Sequence, residues 1–261
     1  MLASGSRGNA SVVASSRTSL LVDCGLSCRE ICRRLSLTGI ALESLSGILI
    51  THEHSDHVSG LFVMARRFRL PVFMTSKTHH AYKHIFRTST GEHVHVERLE
   101  TFEAGRRFHV GDIEVAPFTT PHDAADPVGF VFRADGLRLG FVTDLGYLSR
   151  NVRHHLAGCD GLLIESNHDL EMLRGGPYPW AVKQRVMSRV GHLSNEALAE
   201  FLAGDYDGGA AFLILAHLSE QNNHPEIARA AAERALGDRH GLLRNRLYLA
   251  AQSECLPTIT L

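Results

Sequence analysis

The chain has 261 residues, of which 44% are hydrophobic and 21% charged, and its formal net charge is -1. This composition is typical of a soluble globular protein, and the balanced charge excludes a general electrostatic attraction to nucleic acid. The apolar runs are too short to cross a bilayer and the first residues lack the apolar core of a signal peptide, so we expect a cytoplasmic protein with no membrane partner.

The first half of the chain alternates predicted strands and helices. In chain order, the patterns predict strands at 11–14 and 18–23, a helix at 29–35, a strand at 46–51, a helix at 58–68, a strand at 71–74 and a helix at 79–86. A polar turn joins the first two strands, which are expected to form a hairpin. Glycine and proline punctuate 93–140 and indicate several antiparallel strands there.

The second half contains short apolar strands and two clear helices. The patterns predict strands at 138–143, 161–164 and 212–216 and helices at 195–203 and 225–236. The last helix has Pro225 at its first position and Gly237 just past its end, which is the usual placing of these residues. No repeat, low-complexity tract or linker interrupts the sequence. We therefore expect a single α/β domain over residues 1–261, with helices outside two packed sheets.

Histidine is unusually frequent, with 17 residues, and the densest cluster lies at 51–57, directly after a predicted strand. His52 and His54 are two residues apart, so an extended backbone points both side chains to one side, where they can share a metal ion. Asp56 and His57 are adjacent and can reach a second ion from the turn into the next helix. Imidazole and carboxylate are ligands that divalent zinc and manganese accept.

Two half-filled coordination spheres need further ligands from the same edge of the sheets. His122, Asp144 and His217 each follow the carboxyl end of a predicted apolar strand. A carboxylate can bridge two cations, which makes Asp144 the natural bridging ligand. The predicted site therefore holds two divalent ions, zinc or manganese. Its ligands are His52, His54 and His122 on one ion, Asp56, His57 and His217 on the other, and Asp144 between them.

The order of these ligands resembles that of the metallo-β-lactamase superfamily, and the likeness covers nearly the whole chain. Four loop motifs are similar, more narrowly, to the YycJ/VicX-type (WalJ-like) exonuclease branch of that superfamily. They are ASGSRGN at 3–9, GPYPW at 176–180, GHLSN at 191–195 and LSEQNN at 218–223. The resemblance implies a four-layer αββα sandwich and a 5′-to-3′ exonuclease acting on single-stranded DNA.

Two divalent ions about 3.5–4 Å apart can hold a hydroxide at neutral pH and clamp both oxygens of an in-line displacement at a phosphodiester. We expect this metal-bridging hydroxide to be the nucleophile and Asp56 to orient it or take its proton. His192 is the expected proton donor to the leaving oxygen, because the superfamily's tRNA-processing ribonucleases have a comparable histidine in that role. Glu165 or His168 could orient His192 or bind metal, whereas Asp23 is expected to brace the turn of the site.

Substrate contacts are expected from the opening loop of the chain and from a later segment that is rich in cations and aromatic residues. At 167–189, aromatic residues alternate with cations, and such a strip can stack bases and follow phosphates; the alternative is an amphipathic helix with Trp180 in the core and a solvated basic face. The strip consists of Arg174, Tyr178, Trp180, Lys183, Arg185 and Arg189. Ser6 and Asn9 could bind a terminal phosphate or cap the first hairpin, and Ser194 could cap a helix whose N-terminus binds phosphate. The candidate substrate-binding residues are Ser6, Asn9, Lys183 and Ser194.

Other hydrolases of the superfamily fit less well. Two-metal β-lactamases commonly have a cysteine among the later ligands, and no cysteine lies near Asp144 in the sequence. Glyoxalase-II-type thioesterases usually continue with His-Thr-x-Gly at the third ligand, where this chain has Pro121-His122-Asp123. Two alternatives stay open: a phosphodiesterase of small or cyclic phosphates, and a non-catalytic interaction module stabilised by metal. The choice between DNA and RNA, the polarity of attack and the oligomeric state also stay open.

Overall fold

The computed structural model of the chain describes residues 1–87, 91, 93–237 and 246–261. The chain divides into two compact units. The first comprises Met1–Pro117, Ala124–Val128 and Gln252–Ile259, and the second comprises Phe118–Asp123, Gly129–Ala251 and Thr260–Leu261. That residues 1–261 act as one domain stays a prediction.

The first unit contains the elements from β1 to the greater part of β7. In chain order they are β1 (Ser11–Ala14), β2 (Ser19–Val22), α1 (Cys28–Leu37), a 3-10 helix (Leu42–Ser44), β3 (Leu45–Leu49), α2 (Ser55–Val58), α3 (Leu61–Phe68), β4 (Val72–Thr75), α4 (Ser76–Ile85), β5 (Leu99–Phe102), β6 (Phe108–Val110) and β7 (Ile113–Thr119). Five strands form a sheet in the order β1-β2-β3-β4-β5. The predicted hairpin of β1 and β2 is confirmed, and the strands from β2 to β5 are parallel.

Burial explains why β2 and β3 are central in this sheet. Leu20, Leu21 and Val22 in β2 and Ile48 and Leu49 in β3 are all 0% exposed. Strands that are covered on both faces have continuous apolar sequences rather than alternating ones. Asp23 directly follows β2, and the apolar run of β3 continues through Ile50 to Thr51, so polar side chains lie just past the carboxyl ends of both strands.

Two predictions for the first unit are wrong in part. Strand β5 lies in the region predicted as antiparallel, yet it pairs in parallel with β4, because α4 carries the chain back between them as a crossover. The helix predicted at 58–68 is two helices, α2 and α3. The chain turns at Gly60, where a Cβ atom would lie 2.0 Å from the carbonyl oxygen of Leu26.

The segment Gln252–Ile259 packs in the first unit against the opening loop of the chain. Gln252 accepts a hydrogen bond from the backbone N–H of Arg7 at 2.8 Å and donates one to the carbonyl of Gly8 at 3.0 Å. Its own carbonyl accepts from the Arg34 guanidinium at 3.0 Å. One glutamine from late in the sequence therefore fastens the loop that precedes β1.

The second unit contains the remaining elements. In chain order they are β8 (Val128–Ala134), β9 (Leu137–Val142), α5 (Arg150–Leu156), β10 (Gly161–Glu165), α6 (Leu170–Gly175), α7 (Trp180–Val186), α8 (Asn195–Gly204), β11 (Phe212–Ala216), α9 (Pro225–Leu236) and β12 (Leu247–Leu249). These strands follow the order β12-β11-β10-β9-β8. Strands β8 and β9 are antiparallel, as predicted, and those from β9 to β12 are parallel.

The predicted strands and helices of this unit are confirmed to within one or two residues. Helix α9 begins at Pro225 and ends at Leu236, and the glycine that follows it, Gly237, has a positive φ of 52° that favours glycine. Helix α8 continues through Gly204 rather than ending before it. Among the described residues, no helix combines the length and the apolar character that crossing a membrane requires.

Candidate metal centre

In each unit, polar side chains lie at the carboxyl ends of parallel strands. Asp23 follows β2 in the first unit, whereas Asp144 and His217 follow β9 and β11 in the second. All three have a left-handed backbone, with φ of 60°, 57° and 58° respectively. Non-glycine residues adopt this conformation infrequently, and they concentrate at functional sites, where surrounding structure offsets the strain.

The first-unit cluster consists of His52, His54, Asp56 and His57. The ring of His52 lies 4.6 Å from that of His54 and 4.1 Å from that of His57, measured between centroids. Asp56 Oδ2 lies 3.4 Å from His57 Nε2. The loop after β3 and the first turn of α2 therefore bring together all four residues that the sequence predicts as ligands in this unit.

Asp23 braces the first-unit cluster, as the sequence indicates. Its Oδ2 lies 2.8 Å from His57 Nδ1, and its Oδ1 accepts from the Thr51 backbone N–H at 2.9 Å. The carboxylate can only accept, so the proton of neutral His57 resides on Nδ1 and the lone pair on Nε2. A carboxylate behind a histidine in this way fixes the tautomer and the ring orientation that a metal ligand needs.

Asn9 contacts the same cluster from the opening loop. Its Nδ2 lies 3.2 Å from Asp56 Oδ2 and 3.1 Å from His57 Nε2, and its backbone N–H donates to the Asp56 carbonyl at 2.7 Å. The approach of these backbones requires glycine at position 25, where a Cβ atom would lie 1.6 Å from the Asp56 carbonyl oxygen. Ser6 is exposed in the same loop. Contact of Ser6 or Asn9 with a substrate stays a prediction.

The second-unit cluster consists of His122, Asp144, Glu165, His192 and His217. One potential ligand atom from each of Asp144, Glu165, His192 and His217 lies within 4.8 Å of the others. His122 Nε2 lies 3.9 Å from Asp144 Oδ1, and the rings of His122 and His192 are 5.2 Å apart. Five residues from widely separated parts of the sequence are thus neighbours in this unit.

Glu165 organises the second-unit cluster. Its Oε1 lies 2.8 Å from Nδ1 of both His192 and His217. Its Oε2 accepts from the backbone N–H groups of Leu145 and Leu193, each at 3.0 Å. Of the two candidates from the sequence, Glu165 is therefore the one whose carboxylate contacts the His192 ring. Sequence spacing could not have distinguished Glu165 from His168, because both are buried and the difference lies in their tertiary contacts.

Electrostatics in this cluster follow from the burial of Glu165. Burial opposes its ionisation, but the charge of His192 and hydrogen bonds from His192 and His217 together lower the pKa of Glu165 to about 2. Burial likewise opposes the charging of His192, whose pKa the Glu165 carboxylate nevertheless raises above its ordinary value. Burial lowers the pKa of His168 to about 4, so His168 is neutral near pH 7.

Two of the loop motifs meet in a buried amide network beside the second-unit cluster. Asn223 Nδ2 lies 2.9 Å from the carbonyl oxygen of Ser166, 3.0 Å from that of Asn167 and 3.0 Å from Asn195 Oδ1, so its two hydrogens are shared among three acceptors. Asn167 Nδ2 in turn donates to the His217 carbonyl at 2.8 Å. The GHLSN and LSEQNN motifs therefore hold the loops of this cluster in place, a role that sequence reasoning missed.

The remaining predicted substrate-binding residues lie in α7 and α8. Lys183 is buried, and its ammonium group donates to the Arg174 carbonyl at 2.7 Å. Ser194 is the N-cap of α8, as predicted, and accepts from the Ala197 N–H at 3.1 Å. Trp180 is 62% exposed, so the alternative that placed it in the core is wrong. Binding of a substrate by Lys183 and Ser194 stays a prediction.

The donors of both clusters fit a divalent transition metal. They are imidazole nitrogens and carboxylate oxygens, the set that zinc and manganese accept. In three of the histidines, Nδ1 forms a hydrogen bond with a carbonyl or carboxylate oxygen. His122 Nδ1 donates to the Gly191 carbonyl at 3.0 Å, and Nδ1 of His57 and of His217 each lies 2.8 Å from a carboxylate oxygen. In the neutral rings the lone pair is then on Nε2, the form in which histidine binds metal.

Comparison with known proteins identifies the family. The model of the beta-lactamase superfamily domain matches residues 18–218. The chain belongs to the beta-lactamase superfamily. It is 39% identical over 239 residues to "Exodeoxyribonuclease YycJ" of Bacillus anthracis, a match that covers 92% of this chain and 89% of that protein. It is also 39% identical over 228 residues to "Exodeoxyribonuclease WalJ" of Streptococcus pneumoniae, with 87% and 84% covered.

A solved structure shows the same fold. The metallo-beta-lactamase fold protein YhfI of Bacillus subtilis matches with a TM-score of 0.69 at 16% identity, covering 96% of this chain and 95% of that one. The predicted α/β metallo-β-lactamase fold and the resemblance to the YycJ-type branch are therefore confirmed. The prediction that the chain is an enzyme, a metal-dependent hydrolase, is confirmed as well, and the family and the clusters together support binding of divalent metal.

Proposed function

We propose that this superfamily member is a dinuclear metal-dependent phosphodiester hydrolase that degrades single-stranded DNA from the 5′ end, in the cytoplasm. The observation that carries the proposal is the 39% identity, across about nine tenths of the chain, to relatives named exodeoxyribonucleases. The carboxylate-braced histidines of both clusters support it, because phosphodiester cleavage needs ligands held in one orientation.

The proposed ligands are the seven residues expected from the sequence. His52, His54 and His122 would hold one ion, Asp56, His57 and His217 the other, and Asp144 would bridge them. When bound, the pair of ions would supply an activated water and neutralise charge on the phosphodiester. Support comes from the contacts within each cluster and from the order of the ligands in the sequence, which resembles that of the superfamily.

Two side chains have proposed catalytic roles. Asp56 would orient the attacking water or accept its proton, and Asn9, 3.2 Å away, would hold the Asp56 carboxylate in place. His192 would deliver a proton to the leaving oxygen. Its Nδ1 lies 2.8 Å from Glu165, so the proton would leave from Nε2. The side chain is 23% exposed, which supports access of a substrate to the ring.

Protein purified without added metal tests the dinuclear proposal by elemental analysis. We expect two zinc or manganese ions per chain at saturation. Fewer than two ions at saturation would contradict the dinuclear site.

Substrate assays under the native metal test the nuclease proposal. We expect products from 5′-labelled single-stranded DNA to appear as mononucleotides first, with slower release from 3′-labelled strands and from RNA. Bis-p-nitrophenyl phosphate and cyclic nucleotides serve as small substrates in parallel. Turnover of the small esters alone would replace the nuclease with the small-molecule or cyclic-phosphate phosphodiesterase.

A further inference from the structure

Helix α7 exposes large apolar side chains in the second unit. Trp180, its first residue, is 62% exposed, and Val182 and Val190 are 40% and 44% exposed. Tryptophan is highly buried on average, so an indole ring that is 62% exposed is the unusual feature of this helix. Val182 is two residues away and points to another side of α7, and Val190 follows the helix. We call the exposed side chains of the segment 172–190 around Trp180 the Trp180 surface.

The charge of the same segment indicates the chemistry of what covers it. Residues 172–190 include four cations, Arg174, Lys183, Arg185 and Arg189, and no aspartate or glutamate. The side chains of Arg174 and Arg185 are 58% and 65% exposed, and each forms one surface ion pair, Arg174 with Glu171 at 3.0 Å and Arg185 with Asp123 at 2.5 Å. Exposed ion pairs contribute little free energy, so both guanidinium groups can still contact a phosphate. An exposed aromatic ring in the same segment as these groups suits a strand that presents flat bases and a phosphate backbone.

The Trp180 surface is connected directly to His192. The backbone N–H of His192 donates to the carbonyl of Val186, the last residue of α7, at 2.9 Å. A Cβ atom at Gly191 would lie 2.1 Å from the same oxygen, so the two segments are in close contact. At 1.5 Å per residue, Trp180 lies about 9 Å along the helix from Val186. An oligonucleotide of a few residues that reaches His192 is long enough to reach Trp180.

We propose that Trp180 stacks on a nucleobase of a single-stranded nucleic acid while Arg174 and Arg185 face its phosphates. The proposal deepens the proposed nuclease function and rests on it for the entry of the strand at His192. Trp180 is then a substrate-binding residue that selects strands with unpaired bases, since a paired base has no face open for stacking. Lys183 positions the segment through its bond to Arg174.

Intrinsic fluorescence tests the stacking directly, because Trp180 is the one tryptophan of the chain. The metal-loaded protein is titrated with phosphorothioate oligodeoxythymidylate, which resists cleavage, and with an abasic strand of the same length and linkage. We expect the thymidylate to quench the emission and the abasic strand to leave it nearly unchanged. Equal responses to both strands would overturn the proposal. So would an emission change on raising the protein concentration alone, which would assign the surface to a second copy of the chain.

Kinetics with single variants provide the second test. Trp180→Ala is expected to lower kcat/KM on single-stranded DNA by about tenfold, mainly through KM, whereas Trp180→Phe retains most of the activity. Neither variant should change hydrolysis of bis-p-nitrophenyl phosphate. Leu37→Ala, which removes an apolar side chain of similar exposure (66%) at the end of α1, is the matched control and should behave as wild type. An equal loss on DNA and on the small ester would overturn the proposal, because it would indicate damage to the site itself.

The two experiments separate this proposal from the nuclease proposal. Base-dependent quenching without DNA hydrolysis would refute the nuclease function and leave the stacking intact. DNA hydrolysis with wild-type kinetics in Trp180→Ala would refute the stacking and leave the nuclease function intact.

Discussion

The two clusters use the chain in different ways to reach a similar arrangement. In the first unit, four ligand-type residues come from one short segment, and Asp23 braces one of its histidines. In the second unit, the residues come from separate strand ends and loops, and Glu165 braces two histidines and two backbone N–H groups. Where the ligand-type residues are contiguous in sequence, one carboxylate is enough to orient a histidine. Where they come from separate loops, one carboxylate must contact several loops at once to position them.

The largest effect is therefore expected for Glu165→Gln. The amide keeps the shape of the side chain, but its nitrogen cannot accept from the N–H groups and histidines that Glu165 now serves. We expect a loss of about 100-fold in phosphodiesterase activity, with weaker metal retention, since residues behind metal ligands commonly account for 10- to 100-fold.

Activity and metal content of the purified variant check this prediction. Glu200→Gln, the same change at an exposed position of α8, is the matched control and should behave as wild type. Full activity in Glu165→Gln would show that the dispersed cluster does not depend on its shared carboxylate.

A smaller effect is expected for Asp23→Asn, because this brace serves one histidine and the rest of its cluster is contiguous. Asparagine tolerates the left-handed backbone at this position, so the change tests the carboxylate rather than the strand end. We expect a loss of about tenfold in the same activity assay.

Asp135→Asn is a matched control for Asp23→Asn, since Asp135 also has a positive φ, of 52°, in the turn between β8 and β9. It should leave the activity unchanged. A loss in Asp23→Asn as large as that in Glu165→Gln would remove the difference between the two clusters.

The smallest effect is expected at Asp112, a first-unit carboxylate that serves no histidine of either cluster. Hydrogen bonds from the hydroxyls of Thr18 and Ser15 lower its pKa to about 2. Because the pKa is lower in the folded state than the ordinary 3.8, Asp112 contributes stability above about pH 4, and this contribution is lost as the pH falls towards 2.

Denaturant unfolding of wild type and Asp112→Asn at several pH values measures that contribution. The difference in the free energy of unfolding should be largest near neutral pH and shrink between about pH 4 and 2, with activity at neutral pH unchanged. A difference that does not vary with pH would show that Asp112 does not act through its charge.

The difference between the clusters also explains how much the sequence could predict. The segment 51–57 is visible because its ligands are contiguous, and His122, Asp144 and His217 are visible because each follows an apolar strand. The contact of Glu165 with His217 could not be predicted, because nothing in the sequence spacing shows that one carboxylate reaches both His192 and His217.

Among the elements, the apolar strands and the helices α8 and α9 were predicted well, because apolar patterning and capping residues are local in sequence. Helices α5 and α6 were not predicted, although Ser149 and Asp169 cap their N-termini. The parallel pairing of β5 was not, since it depends on the path that α4 gives the chain. The exposure of Trp180 likewise depends on tertiary structure, because the composition of the segment around it fits a buried helix face as well as an exposed one.

The contact of Gln252 with the opening loop has a consequence for the order of events during synthesis. Gln252 and Gly8 are separated by 244 residues along the chain, and the loop that they fasten contains Asn9, the neighbour of Asp56 and His57. The strands of the first unit are synthesised early, but the hydrogen bonds from Gln252 to their opening loop form only after nearly all of the second unit has been synthesised. We therefore expect the first cluster to reach its final arrangement late in folding, when these residues far apart in sequence come together.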